Sequence, residues 1–380
     1  MKTRTSNMTL NNAFKTAQLF ILCILAVFSE SAFTTEALQN DSQQSEKQST
    51  HSPQVAILQY HHVDKSTPEV TSVSPETFEK HMKYISEHHT VVPLKDAIEA
   101  IRSNTSLPDK AIAITFDDGF KNIYENAHPV LKRYNFPYTI FINPENISRS
   151  PSELSWEQIE EMEDIADFAN HTMDHIHLLE KKAGESESQW LERVMANINQ
   201  AESILSKKLG YSLKYLAYPF GEFNQSLQNA LTKEGYVSFG QQSGVVSQHS
   251  DFSALPRFPA SGSYANLDTL SVKMRALSMP VQAFSPASNQ QALNKEISEF
   301  TLQLKEHSDD VNVAQLACFF KGERIEAKFE GKVAKIEVDH RFSPGRIRIN
   351  CTAPSKQSSG RFYWYSMPYF TPTKEGKYLD

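Results

Sequence analysis

Cysteine is scarce in this chain. Only Cys23, Cys318 and Cys351 occur in 380 residues, too few for a fold framed by disulfides. Excess charge is also lacking: the formal net charge is -7, and no basic stripe carries interleaved aromatics. That removes nucleic acid as an expected partner. A membrane-length apolar run is missing too. Residues 17–28, AQLFILCILAVF, are too short to span a bilayer comfortably.

Preceded by Lys2, Arg4 and Lys15 and followed by Ser29 and Ser31, residues 17–28 read instead as an export signal cleaved near Ser31. The alternative is an uncleaved N-terminal anchor. Export places the chain in the periplasm or outside the cell, where disulfides persist. Cys318 and Cys351 are then candidates for a bridge. An apolar fraction of 39% and a charged fraction of 22% suit a soluble globular protein, and 380 residues suit more than one domain or one large α/β domain with attachments.

Residues 32–53 are polar and lack apolar periodicity, so they read as a disordered tether. From Val55 to Pro259 strand and helix patterns alternate. Buried strands are expected at 55–60, 111–116, 137–142, 165–169 and 215–218. Ser74-Pro75-Glu76 opens a helix, and Gly210 ends a long one begun near Glu185. Such alternation implies a parallel sheet with helical crossovers. Several strands ending in polar groups favour a distorted (β/α) barrel of about seven parallel strands over an open sheet. This α/β domain is expected over 54–280, followed by a Ser-, Asn- and Gln-rich linker at 281–300. A small all-β, sandwich-like domain is expected at 301–380.

The stretch that carries chemistry is AIAITFDDGF, residues 111–120. A buried strand running into Asp117-Asp118 sets two carboxylates side by side, which is costly unless a cation offsets them. His171-Thr172-Met173-Asp174-His175 follows another strand end and supplies two histidines four apart. Asp118, His171 and His175 then make a His-His-carboxylate set for a divalent metal, Zn2+ best of all. The plainer reading of the histidines is a polar loop. Asp117 is left as general base, or as an orienting group behind the metal. Tyr218-Pro219-Phe220-Gly221 offers backbone N–H groups for an oxyanion, or is an ordinary strand-exit turn.

Thr115-Phe116-Asp117-Asp118-Gly119 together with His171-Thr172-Met173-Asp174-His175 resembles the polysaccharide deacetylase family, the NodB homology domain (carbohydrate esterase family 4). The resemblance covers about residues 55–259. It implies a distorted (β/α) barrel and a metal-dependent hydrolase that removes acetyl groups from a polysaccharide. Asp117 resembles the family's base, and Asp118, His171 and His175 its metal ligands.

Two departures stand out. Ala217 occupies the place of the family's usual Arg, for which Arg257 is a candidate substitute. The late Leu-x-His motif is not evident, and His249 reads as a loop residue. Tyr60-His61-His62-Val63 is similar to an element of the branch acting on poly-β-1,6-N-acetylglucosamine, with His61 either lining the site or satisfied at a strand end. The expected activity is N-deacetylation of such a polymer or a chitin-like one. The alternatives are an O-acetyl (xylan-type) esterase and a catalytically weakened polysaccharide-binding protein. The oligomeric state stays open.

Overall fold

The computed structural model describes residues 52–306 and 308–379. The expected export signal, Cys23 and all of the tether before Ser52 lie outside the described residues. No described helix is long and apolar enough to cross a membrane.

Six parallel strands lie side by side in sequence order: β1 (Gln54–Tyr60), β2 (Ala111–Phe116), β3 (Tyr138–Ile142), β4 (Ala166–Asn170), β5 (Tyr215–Ala217) and β6 (Val237–Phe239). They are short, apolar and almost wholly buried, as strands covered on both faces must be. The short antiparallel strand Val245–Ser247 flanks β1 on its outer side. Helices fill the crossovers. Pro75–His88 starts at Ser74, whose side chain accepts from the Thr77 amide. Glu187–Leu209 opens on a capping box at Ser186 and Gln189 and stops at Gly210, φ 79°. The expected helix at 122–134 is instead a π-helical turn, Ile123–Ala127, running into the α-helix His128–Tyr134.

The sheet curls into a half-barrel. Its open side is crossed by one segment: Leu255 bridges Phe239 of β6, and Phe258–Pro259 pairs with Leu58 and Gln59 of β1. Arg257 sits between these two contacts and is fully buried. The seam therefore delivers a cation to the barrel interior.

The stretch 281–300, expected as a linker, is strand at both of its ends. Val281–Ser285 pairs with Glu296–Leu304, which pairs in turn with Val333–Arg341. A second sheet contains Phe362–Thr371, Gly345–Pro354 and Ala317–Phe320 and begins as early as Leu277–Ser278. Between the two sheets lie Phe300, Leu302, Ile336, Ile349 and Tyr369. Cys318 and Cys351 face each other across neighbouring strands and form a disulfide closing 33 residues, a loop for which chain entropy allows about 3–4 kcal/mol of stabilisation. These C-terminal strands pack against the half-barrel. The Trp364 ring meets Phe258 edge-on, Phe370 meets Phe223, and Arg361 pairs with Asp109.

Candidate active site

Because the six strands are parallel, their carboxyl ends share one rim, where sites form in such sheets. One further backbone bond beyond each strand end fixes the rim residues. The Asp117 amide donates to Tyr60 O at 3.0 Å, that of His171 to Ile142 O at 3.0 Å, and that of Tyr218 to Phe239 O at 3.0 Å. His61, Asp117, His171 and Tyr218 thereby lie along one rim, with Ile142 between Asp117 and His171.

Asp118 turns inward from the rim with φ 74°, followed by Gly119 at φ 76°. A Cβ on Gly119 would lie 2.9 Å from Ile142 Cγ2, so only glycine fits. Asp118 Oδ1 lies 3.2 Å from His171 Nε2 and 3.3 Å from His175 Nε2. Asp118 Oδ1 and His171 Nε2 are buried and complete no hydrogen bond among the described residues. Two donors bound at about 2.0–2.1 Å in a tetrahedron stand about 3.3 Å apart, so the separations and the orphaned atoms fit a shared cation.

The histidine loop is built for that arrangement. His171 Nδ1 lies 2.8 Å from Ala217 O, to which it donates, leaving the Nε2 lone pair facing Asp118. Burial, then the neighbouring His171, lower His175 to about 4, which keeps its imidazole neutral at neutral pH. Asn143 Nδ2 donates to the carbonyls of His171 and Thr172, and the Thr172 amide donates to Asn170 Oδ1 at 2.7 Å. These bonds offset left-handed backbone at Thr172 (φ 70°) and His175 (φ 55°), where each residue costs about 1–3 kcal/mol.

Asp117 is fully buried beside this triangle. Arg257 grips it with both ends of its guanidinium, Nη1 to Oδ1 at 2.7 Å and Nη2 to Oδ2 at 2.8 Å. Gln59 Nε2 donates to Oδ2 at 2.7 Å, and His61 Nε2 lies 3.8 Å from the same oxygen. Three of the four carboxylate lone pairs are taken, and one on Oδ1 remains. Burial alone would raise this carboxyl. The Arg257 charge leads the interactions that outweigh burial and hold it well below the usual carboxylate range. Gln59 was absent from the sequence-based site, although an amide one residue before the end of an otherwise apolar buried strand is its signal.

Residues 104–239, which hold this whole rim from Asp117 to Gly221, match the family described as polysaccharide deacetylase. The chain carries a polysaccharide deacetylase domain. It is 27% identical over 269 residues to a Staphylococcus aureus protein named poly-β-1,6-N-acetyl-D-glucosamine N-deacetylase, covering 63% of this chain and 90% of that one. Among solved structures, the Streptococcus pyogenes deacetylase PplD in complex with acetate has a TM-score of 0.53 at 21% identity, over 59% of this chain and 99% of that one. IcaB from Ammonifex degensii gives 0.52 at 22%, over 60% and 99%. Those two likenesses establish the fold of the deacetylase domain.

The remaining residues divide unevenly around the deacetylase rim. In the 218–221 turn, the Tyr218 amide is taken by Phe239, Pro219 has none, and the Gly221 amide donates to Tyr218 O at 2.9 Å. The Phe220 amide alone meets no backbone carbonyl among the described residues. Phe220 is itself left-handed, φ 56°, and its ring stands 4.5 Å from that of His175 and stacks on His177 at 3.9 Å. His249 is not brought to the rim. It follows Ser247, which pairs with Gln54 at the opposite end of β1, and lies 3.2 Å from Lys305 Nζ.

Glu153 was also absent from the sequence-based site. It bridges to Phe120, next to the Asp118-Gly119 turn, and its Oε2 is buried without a partner among the described residues. Burial, and then the Asp118 charge, push Glu153 up to about 7. A raised carboxyl keeps a proton in the folded state that the unfolded chain has released. In metal-free protein Glu153 should therefore contribute a downward slope in stability as pH rises from 4.5 to about 7, level above that and opposed by the lowered His175. Glu153→Gln is expected to remove this slope. Thermal melts in chelator at acid and mildly alkaline pH check it, and parallel slopes in the two proteins count against it.

Proposed function

We propose that this chain is an exported, metal-dependent N-deacetylase of a poly-N-acetylglucosamine-like polysaccharide. The observation that carries the proposal is the Asp118–His171–His175 triangle, with its orphaned acceptors, set against a buried Asp117 that keeps one open lone pair. Two imidazoles and a carboxylate at tetrahedral spacing suit Zn2+. When bound there, the cation supplies Lewis acidity, polarising the acetamide carbonyl and easing ionisation of water.

The chain's own groups do the rest. Asp117 Oδ1 accepts the proton of the attacking water, and that proton is the one the departing amine needs. Arg257 and Gln59 hold the carboxylate still while it does so. The Phe220 amide donates to the oxyanion that develops on the acetyl carbonyl, and the Phe220 ring walls the site beside His175. The relative named as a poly-β-1,6-N-acetyl-D-glucosamine N-deacetylase supports the choice of polymer. The Cys318–Cys351 bridge supports an oxidising compartment. The missing Arg and late-motif acid suggested a weakened binding protein; Arg257, reaching the Asp117 carboxylate from the seam, weighs against the first of these grounds.

The test is acetate release from β-1,6-linked N-acetylglucosamine oligomers and from acetylated xylan. The expected result is release from the amino-sugar oligomers, lost in chelator and restored by Zn2+. Release from xylan alone would replace the amide reading with the ester one, and chelator-resistant release would sink the metal site.

A further inference from the structure

The C-terminal strands reach into the rim. Arg346 Nη1 donates both to the carbonyl of Phe220, at 2.5 Å, and to Gln241 Oε1, at 2.8 Å. Two residues along the same strand, and so on the same face of it, Arg348 Nη1 donates to Gln241 O at 2.8 Å. Gln241 in turn backs the turn itself, since a Cβ on Gly221 would lie 2.9 Å from Gln241 Cβ. The Phe220–Gly221 peptide is thus held between Gln241 and a guanidinium. This matters because Phe220 is an aromatic residue in left-handed backbone, which local preference does not supply. A charge-assisted bond to its carbonyl is an interaction strong enough to hold it there.

The strand carrying both arginines, Gly345–Pro354, is a rigid platform. It pairs along its whole length with Phe362–Thr371, is stapled to Ala317–Phe320 by the disulfide, and has Phe370 of its partner strand packed on Phe223, just past the turn. We propose that Arg346 is a positioning residue of the deacetylase site: by holding the Phe220 carbonyl it sets the Phe220 ring against His175 and keeps the Phe220 amide turned free of protein carbonyls. The C-terminal strands are thereby part of the active site's framework and not an appended module. This inference rests on the deacetylase reading above.

Arg346→Ala and Arg346→Lys, in the full chain, test it against Arg341→Ala, an exposed ion-pair partner of Glu296 in the other C-terminal sheet. In the alanine variant kcat for acetate release is expected to fall about 10- to 100-fold with KM nearly unchanged, the scale of a misplaced reacting group. Amide hydrogen exchange in a peptide spanning 215–223 should quicken about 10-fold or more as the turn is freed. Millimolar guanidinium should restore part of kcat. Lysine should fall between, because an ammonium reaches the carbonyl without the planar fork. Arg341→Ala should match the parent protein.

A wild-type kcat in Arg346→Ala, or unchanged exchange at 215–223, overturns the inference. If the alanine variant does not fold, the lysine variant gives the same two readouts. If the parent protein itself releases no acetate, the functional reading fails, and the exchange measurement alone still decides whether Arg346 holds the turn.

Discussion

Replacing Arg257 with methionine is expected to cost about 3–5 kcal/mol of folding stability at neutral pH, the penalty for stripping a buried charge of its partner. Asp117 and Arg257 are both fully buried and joined by two short hydrogen bonds. Methionine fills much of the volume but leaves the carboxylate with Gln59 as its direct donor and a second carboxylate, Asp118, next along the chain. The sign of the pH dependence distinguishes this from simple loss of packing. In the parent protein the Asp117 carboxyl is held below its ordinary value of 3.8, so its contribution is complete above that value and is lost as pH falls through the lower folded value. Without Arg257, burial dominates and raises the carboxyl. The variant's deficit should then be largest at neutral to alkaline pH and shrink toward acid, where the carboxyl can take a proton. The acid limb of acetate release should move upward in step. Denaturant unfolding at several pH values measures the first effect and pH–rate profiles the second. A deficit of equal size at every pH would mean that Arg257 matters only as filler.

Asp118, His171 and His175 were legible in the sequence because each follows a strand end within a short contiguous motif, so that strand placement and residue type coincide. Arg257 lies 140 residues from Asp117, and nothing local requires it to turn inward. Only the closure of the sheet by the 255–259 seam does. Gln59 could have been found as a polar break in a buried strand, since an unpaired amide there is costly. The 281–300 stretch misled for a related reason. Val281–Ser285 is an edge strand with most of its residues turned to solvent, so its composition is that of a linker while its backbone is paired. Residues 218, 220 and 221 looked alike as N–H donors. That the Tyr218 amide is already spent depends on β6 lying alongside β5, a fact of sheet topology.

Two substitutions at the rim should separate metal holding from proton transfer. His171→Ala removes a donor whose tautomer the fold has fixed through Ala217 O, and the protein is expected to lose both bound metal and acetate release. Asp117→Asn should keep its metal, because the triangle of Asp118, His171 and His175 is untouched, yet lose about 10²- to 10⁴-fold in kcat, the range of a general base. The asparagine oxygen at the Oδ1 position still accepts from Arg257 Nη1, and Gln59 can rotate its amide to accept from the new NH2 group, while Arg257 Nη2 loses its acceptor. The site thus stays assembled, although the unneutralised guanidinium lowers stability. Rates are therefore to be compared well below the melting transition, with metal content measured on the same samples. The two readouts divide the roles. Loss of metal in Asp117→Asn would make Asp117 a support for the cation. An asparagine variant that holds its metal and still releases acetate at the parent rate would leave Asp117 as the buried counter-charge of Arg257, with the proton taken elsewhere. The open Oδ1 lone pair, beside an otherwise fully bonded carboxylate, is what favours the expected result, metal held and acetate release lost.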